Sequence, residues 1–128
     1  MDTSYSSPVP DGKPVTNPFK PTFDNRMWEL YTFANDHIQH TDMECYGHKR
    51  TFIDLLNRAL VCLNIYSSKL SLSDQVENQK ERYRLHELHR QLTAVRSDAS
   101  ELDASSSPDI QKLWGSIFQK VVKLKLLE

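Results

Sequence analysis

Glycine is scarce in this chain: Gly12, Gly47 and Gly115 are the only three among 128 residues. They are too scattered to form a Gly-rich loop that cradles phosphate, and a serine nucleophile elbow is absent as well. Cysteine is scarcer still. With Cys45 and Cys62 alone, a disulfide framework is not expected, and reduced thiols in an intracellular protein are. No apolar run reaches the length of a membrane span, and the start MDTSYSSPVP lacks the basic and apolar regions of a signal peptide, so no membrane insertion is expected. An excess of one charge is also missing. Sixteen Lys and Arg stand against 17 Asp and Glu, a net charge of -1, which gives no general pull toward nucleic acid or anionic membrane.

Helical periodicity is what the chain does have. Phe52, Ile53, Leu55, Leu56, Ala59, Leu60, Leu63 and Tyr66 fall mostly at three- and four-residue steps, with Val61, Cys62 and Ile65 widening the stripe. Neither Pro nor Gly interrupts the run between His48 and Ser68. The pattern predicts a long central helix with neighbours on several sides.

Residues 1–23 hold five of the six prolines among Ser, Thr, Asp and Gly, and read as an extended, disordered Pro/Ser-rich tail. The domain proper is predicted to span 24–128. Its first helix starts after an Asp24 or Asn25 cap and carries Met27, Leu30, Tyr31, Ala34 and Ile38, with Trp28 and Phe33 at the flanks, ending near His40. A third helix follows the central one from a Ser73 cap, with a thinner stripe of Val76, Tyr83, Leu85, Leu88 and Leu92. The stretch 94–104, with Val95 and Leu102 as its large aliphatics, reads as a short, weakly packed helix or an irregular connection. Ser105, Ser106 and Ser107 break the chain before a last helix that opens on Pro108 and Asp109 and carries Ile110, Leu113, Trp114, Ile117, Val121, Leu124 and Leu127. The expected fold is therefore all-α, an antiparallel bundle of four to five helices.

Few residues suggest chemistry. His37 with His40, Cys45 with His48, and His86 with His89 each stand one helical turn apart, a spacing that suits a metal. Each pair supplies only two ligands, and a zinc site needs two pairs to converge or an Asp or Glu to join, so no metal or other cofactor is expected. Carboxylate pairs such as Asp98 and Glu101 lie on polar segments and read as solvated faces, so an enzyme is not expected. The basic residues Arg82, Arg84, Lys112, Lys120 and Lys123 are the candidate partner contacts. In the tail, Asn17, Pro18 and Phe19 spell an NPF tripeptide that resembles the ligand of EH domains in endocytic adaptors.

One stretch carries a wider resemblance. Glu44, Cys45, Tyr46, Gly47, His48, Lys49 and Arg50, then Asp54, Arg58, Leu60 and Leu63, then Lys69, Leu70 and Ser71, are similar to the C-terminal domain of the steroid receptor RNA activator protein family. Trp114 with Val121, Lys123 and Leu124 resembles that family's last helix. Related domains end the large outer-coat subunit of COPII vesicles, and the fold is similar to a helical splicing-factor domain. The resemblance implies a five-helix bundle acting as a non-enzymatic coregulator of nuclear-receptor transcription, present in nucleus and cytoplasm, that works through protein partners and, indirectly, through RNA-containing complexes. The alternative it leaves open is a vesicle-coat or trafficking adaptor. The chain departs from the pattern at 94–107, which is more polar and Ser-rich than the family's fourth helix.

Overall fold

The computed structural model describes residues 19–39, 43, 47–70 and 76–127, and for 76–78 the backbone alone. Four α-helices make up most of this: α1 Lys20–His37, α2 His48–Leu70, α3 Val76–Glu101 and α4 Pro108–Lys123. A 3-10 turn, Leu124–Leu127, closes the described chain, and no strand occurs among the described residues. The protein is an all-helical bundle.

The long apolar run forms α2 as its spacing predicts. Phe52, Leu56, Ala59, Leu60, Leu63, Tyr66 and Leu70 are its buried residues. Immediately before it, Gly47 takes a φ of +67°, a left-handed conformation that L side chains adopt at a cost. A Cβ at this position meets no neighbouring atom, so the demand on Gly47 comes from the backbone and not from crowding.

Helix α1 begins earlier than the Asp24 or Asn25 cap. Phe19 is the N-cap, without a side-chain cap hydrogen bond, and Pro21 lies in the first turn, where its missing N–H would have had no helical partner. Asp24 instead pairs with Lys20 at 2.8 Å, one turn back. Residues 20–23, assigned to the tail on composition, are thus helical, and Phe23 is buried. The remainder of the tail, with Asn17 and Pro18, lies outside the described residues, as does the Ser73 cap.

Helix α3 is longer than its aliphatic count suggested. Leu85, Leu88, Leu92, Val95 and Ala99 follow one another at steps of three and four, and all are buried. The stripe therefore runs through the stretch that composition left open, and the helix ends at Glu101, with Leu102 just past it half-buried against the core. Tyr83, placed in the packed stripe by the sequence, is instead 75% exposed. It stands two residues before Leu85, about 200° round the helix at 100° per residue.

Pro108 and Asp109 occupy the first turn of α4 as expected, and Trp114, Ile117, Phe118 and Val121 are buried. Leu113, counted in the core stripe, is 54% exposed, while Phe118 is wholly enclosed.

Around the bundle, α1 packs on α2 and α4, and α3 packs on the same two helices. Each helix thus has two neighbours and one outward face. Helix α2 is one wall of four, and Val61 and Ile65 on its outer side are exposed for that reason. Helices α2 and α4 meet across the centre through aromatic rings. Phe52 lies edge-on to Phe118 at 5.0 Å and to Trp114 at 6.2 Å, and stacks on Phe33 at 5.6 Å. Such pairs contribute about 0.5 to 1.5 kcal/mol each beyond area burial. Polar ties hold the α2 and α3 edges together: Lys49 to the Ser100 carbonyl, Arg96 to Asn57, Tyr66 to Glu81, and Arg82 to the Leu70 carbonyl.

Candidate functional site

Where the last turns of α3 run beside α4, the packing leaves a groove with a cavity of about 250 Å³. Its apolar floor is Leu102, Leu113 and Ile117. One wall, from α3, is acidic with Asp98 and Glu101; the other, from α4, carries Ser116 and Lys120. The two walls touch through a long ion pair, Lys120 Nζ to Asp98 Oδ2 at 3.8 Å, with both side chains more than half exposed. A pair so solvated contributes at most about 1 kcal/mol and opens readily. Apolar floor, half-exposed leucine and opposed charged walls together suit an amphipathic helix.

The local sequence explains why the groove exists. Ser105, Ser106 and Ser107 with Pro108 end the connection and start α4, and the Trp114 indole N–H donates to the Asp103 carbonyl at 2.9 Å. That bond fixes the incoming loop against α4. With Trp114, Ile117 and Phe118 turned to the core, Leu113 is rotated by one residue, about 100°, toward α3 and solvent. The sequence did contain a signal: the apolar stripe of α4 is one residue wider than a two-neighbour helix can bury.

The five basic candidates separate into two groups. Lys112, Lys120 and Lys123 are exposed on α4, and Lys120 lines the groove. Arg82 and Arg84 are half-buried near the start of α3, 14 to 16 residues from Asp98, or roughly 20 to 25 Å along the helix at 1.5 Å per residue. The structure does not gather the five into one basic patch. Arg82 satisfies a C-terminal carbonyl of α2, donating to Leu70 O at 3.2 Å. Arg84 makes two bonds of 2.7 Å to the carboxylate of Glu81, which also accepts from the Tyr66 hydroxyl at 2.6 Å. The guanidinium, aided by that hydroxyl, holds Glu81 below the ordinary carboxylate range, against the opposing effect of its burial. Burial first, and then the Glu81 carboxylate, push the Tyr66 phenol upward.

Phe19, the one described residue of the NPF tripeptide, is half-buried against the core with the Lys69 ammonium 5.7 Å from its ring centre. A second, more open cavity of about 530 Å³ lies beside the start of α2, among Met43, Gly47, Lys49, Arg50, Asp54 and Asn57. Of the histidines, His37 and His48 meet with ring centres 4.6 Å apart, although they belong to different sequence pairs. No group of three or more His, Cys, Asp or Glu able to hold a metal occurs among the described residues, and no helix there is long and apolar enough to cross a membrane.

Comparison of the chain with protein-family models, with curated proteins and with solved structures returned no significant match.

Proposed function

We propose that this chain is a non-enzymatic protein-interaction module, an antiparallel four-helix bundle that acts as a coregulator of nuclear-receptor transcription within RNA-containing complexes. The observation that carries the proposal is the groove between α3 and α4, where Leu113 stands 54% exposed over an apolar floor between oppositely charged walls. A partner helix with an apolar stripe flanked by basic residues on one side and acidic on the other matches it, the acids meeting Lys120 and its neighbours Lys112 and Lys123. The opposed order of the α2 and α3 ties, Lys49 with Ser100 at one end and Tyr66 with Glu81 at the other, supports the antiparallel arrangement.

The transcriptional assignment rests on the resemblance of the Glu44 to Ser71 run to the steroid receptor RNA activator protein family. RNA enters indirectly in this reading, because Arg82 and Arg84 are engaged in tying α3 to α2 and are not aligned with the lysines of α4. Affinity purification of the intact chain from cells, with and without RNase, tests it. Nuclear transcription complexes should be recovered, with any RNA-bridged subset lost after RNase. Recovery of vesicle-coat or EH-domain proteins in their place refutes the coregulator assignment in favour of the trafficking alternative.

A further inference from the structure

The groove between α3 and α4 carries both signs of charge on one face, and its pattern is complementary to itself. Asp98 and Glu101 line the α3 side, Lys120 lines the α4 side, and Leu102, Leu113 and Ile117 lie between them. Asp98 Oδ2 and Lys120 Nζ stand 3.8 Å apart, so these two charges lie at one level along the groove. Both side chains are more than half exposed, as is Leu113, and all three can meet a second surface.

Two copies can meet on this face about a two-fold axis in the plane of contact, and the direction of the axis decides the electrostatics. An axis across the groove sets α3 on α3 and α4 on α4, so acid meets acid and Lys120 meets Lys120. An axis along the groove sets α3 of each copy on α4 of the other and keeps every residue at its own level. Asp98 and Glu101 then face Lys120 of the second copy, while the Asp98 to Lys120 pair within each copy is kept. The four charges at that level alternate in sign around the axis, and like charges are never nearest neighbours. Leu113 and the apolar floor leave water together in this arrangement. A net charge of -1 adds no long-range repulsion between the copies.

We propose that a second copy of this chain covers the groove when no other partner does, as an isologous dimer about a two-fold axis parallel to the groove. This rests on the reading of the groove as a docking surface. Burial of Leu113 supplies the attraction, and the alternating charges select the orientation more than they add affinity. With one exposed leucine at the centre of each face, the dimer belongs to the small, weak class of interface, with an expected dissociation constant of about 10 to 100 μM. Self-association and partner binding exclude each other, since both occupy the same floor.

Sedimentation equilibrium on the intact chain, over about 5 to 500 μM, should show a monomer–dimer equilibrium. The variant Asp98→Lys/Glu101→Lys makes both walls basic at this level, and Lys120→Glu makes both acidic. Each alone should self-associate at least tenfold more weakly than the wild type, with circular dichroism and Tm showing that it is folded. Mixed in equal amounts, the two variants should form a heterodimer about as tightly as the wild type self-associates, because every basic wall then meets an acidic one. Structural damage from the substitutions would not be repaired by mixing. A wild type that stays monomeric at about 500 μM, dimers kept by both variants, or a mixture that stays monomeric overturns the proposal. A monomer that still recovers transcription complexes from cells overturns the dimer alone and leaves the interaction role standing. A dimer with no such recovery supports the second copy and counts against the coregulator role.

Discussion

Replacing Phe118 by Ala asks which face of α4 carries the bundle. The ring is fully enclosed and lies within aromatic contact of Phe52 at 5.0 Å, Phe33 at 6.1 Å and Trp114 at 6.1 Å. Truncating a phenylalanine in such a place removes its transfer free energy and leaves a cavity, for about 3 to 5 kcal/mol. The upper half of that range is expected here, since three aromatic contacts are lost together. Against a total of about 5 to 15 kcal/mol for a domain of this size, the change consumes a large part of the stability. Tm should fall by roughly 15 °C or more, at about 4 to 8 °C per kcal/mol for a small domain. Leu113→Ala, five residues earlier on the same helix, removes a side chain that is already 54% exposed and should cost less than about 1 kcal/mol. Urea denaturation followed by circular dichroism measures both. Equal losses, or a Phe118→Ala loss below about 1 kcal/mol, would refute the orientation assigned to α4 and with it the groove.

Three further perturbations probe separate parts of the account. Glu81→Gln should destabilise by about 1.5 to 3 kcal/mol, because the Arg84 guanidinium and the Tyr66 hydroxyl lose a charged acceptor in a partly buried setting. The pH dependence has a definite sign. Glu81 titrates lower when folded than its ordinary 4.5, so its contribution is present above that pH and fades as pH falls through the lower folded value. The wild type should therefore lose more stability on acidification below about pH 4.5 than Glu81→Gln does, and parallel acid-denaturation profiles would contradict the network. Gly47→Ala should cost about 1 to 2 kcal/mol from its left-handed backbone alone, and a neutral result in chemical denaturation would mean that φ is not held positive. Trp114→Phe removes the fused pyrrole ring of a fully buried indole together with its N–H bond to Asp103 O, so a cavity adds to the lost hydrogen bond and a loss above about 1.5 kcal/mol is expected by the same measurement.

Much of the helical order could be read from the residues, and the failures share a cause. The Pro- and Gly-free run after His48 and the Ser-Ser-Ser-Pro break before α4 are local signals, and both elements lie where they were expected. The length of α3 was obscured because Ala99, a small residue of weak hydropathy, carries the stripe one turn beyond Val95. Phe118 and Leu113 stand on either side of the α4 stripe, and periodicity alone does not decide which of them faces in. Tertiary packing decides it, placing Phe118 on Phe33 of α1 and Phe52 of α2 and leaving Leu113 to line the groove beside α3. The candidate site was less legible than the fold. Arg82 and Arg84 look like surface charges in a polar helix, and only the tertiary structure reveals that Leu70 O and Glu81 engage them. His37 and His48 stand eleven residues apart in different helices, so no spacing rule pairs them.

The central claim is that the groove between α3 and α4 receives a partner. Its most direct test is quantitative affinity purification of the intact wild type beside a Leu113→Asp/Lys120→Glu variant whose folded state is verified by circular dichroism and thermal denaturation. A charge on the apolar floor and a reversed charge on the wall should reduce recovery of the proposed transcription partners at least tenfold. The same partners recovered in the same amounts from a folded variant would contradict the claim.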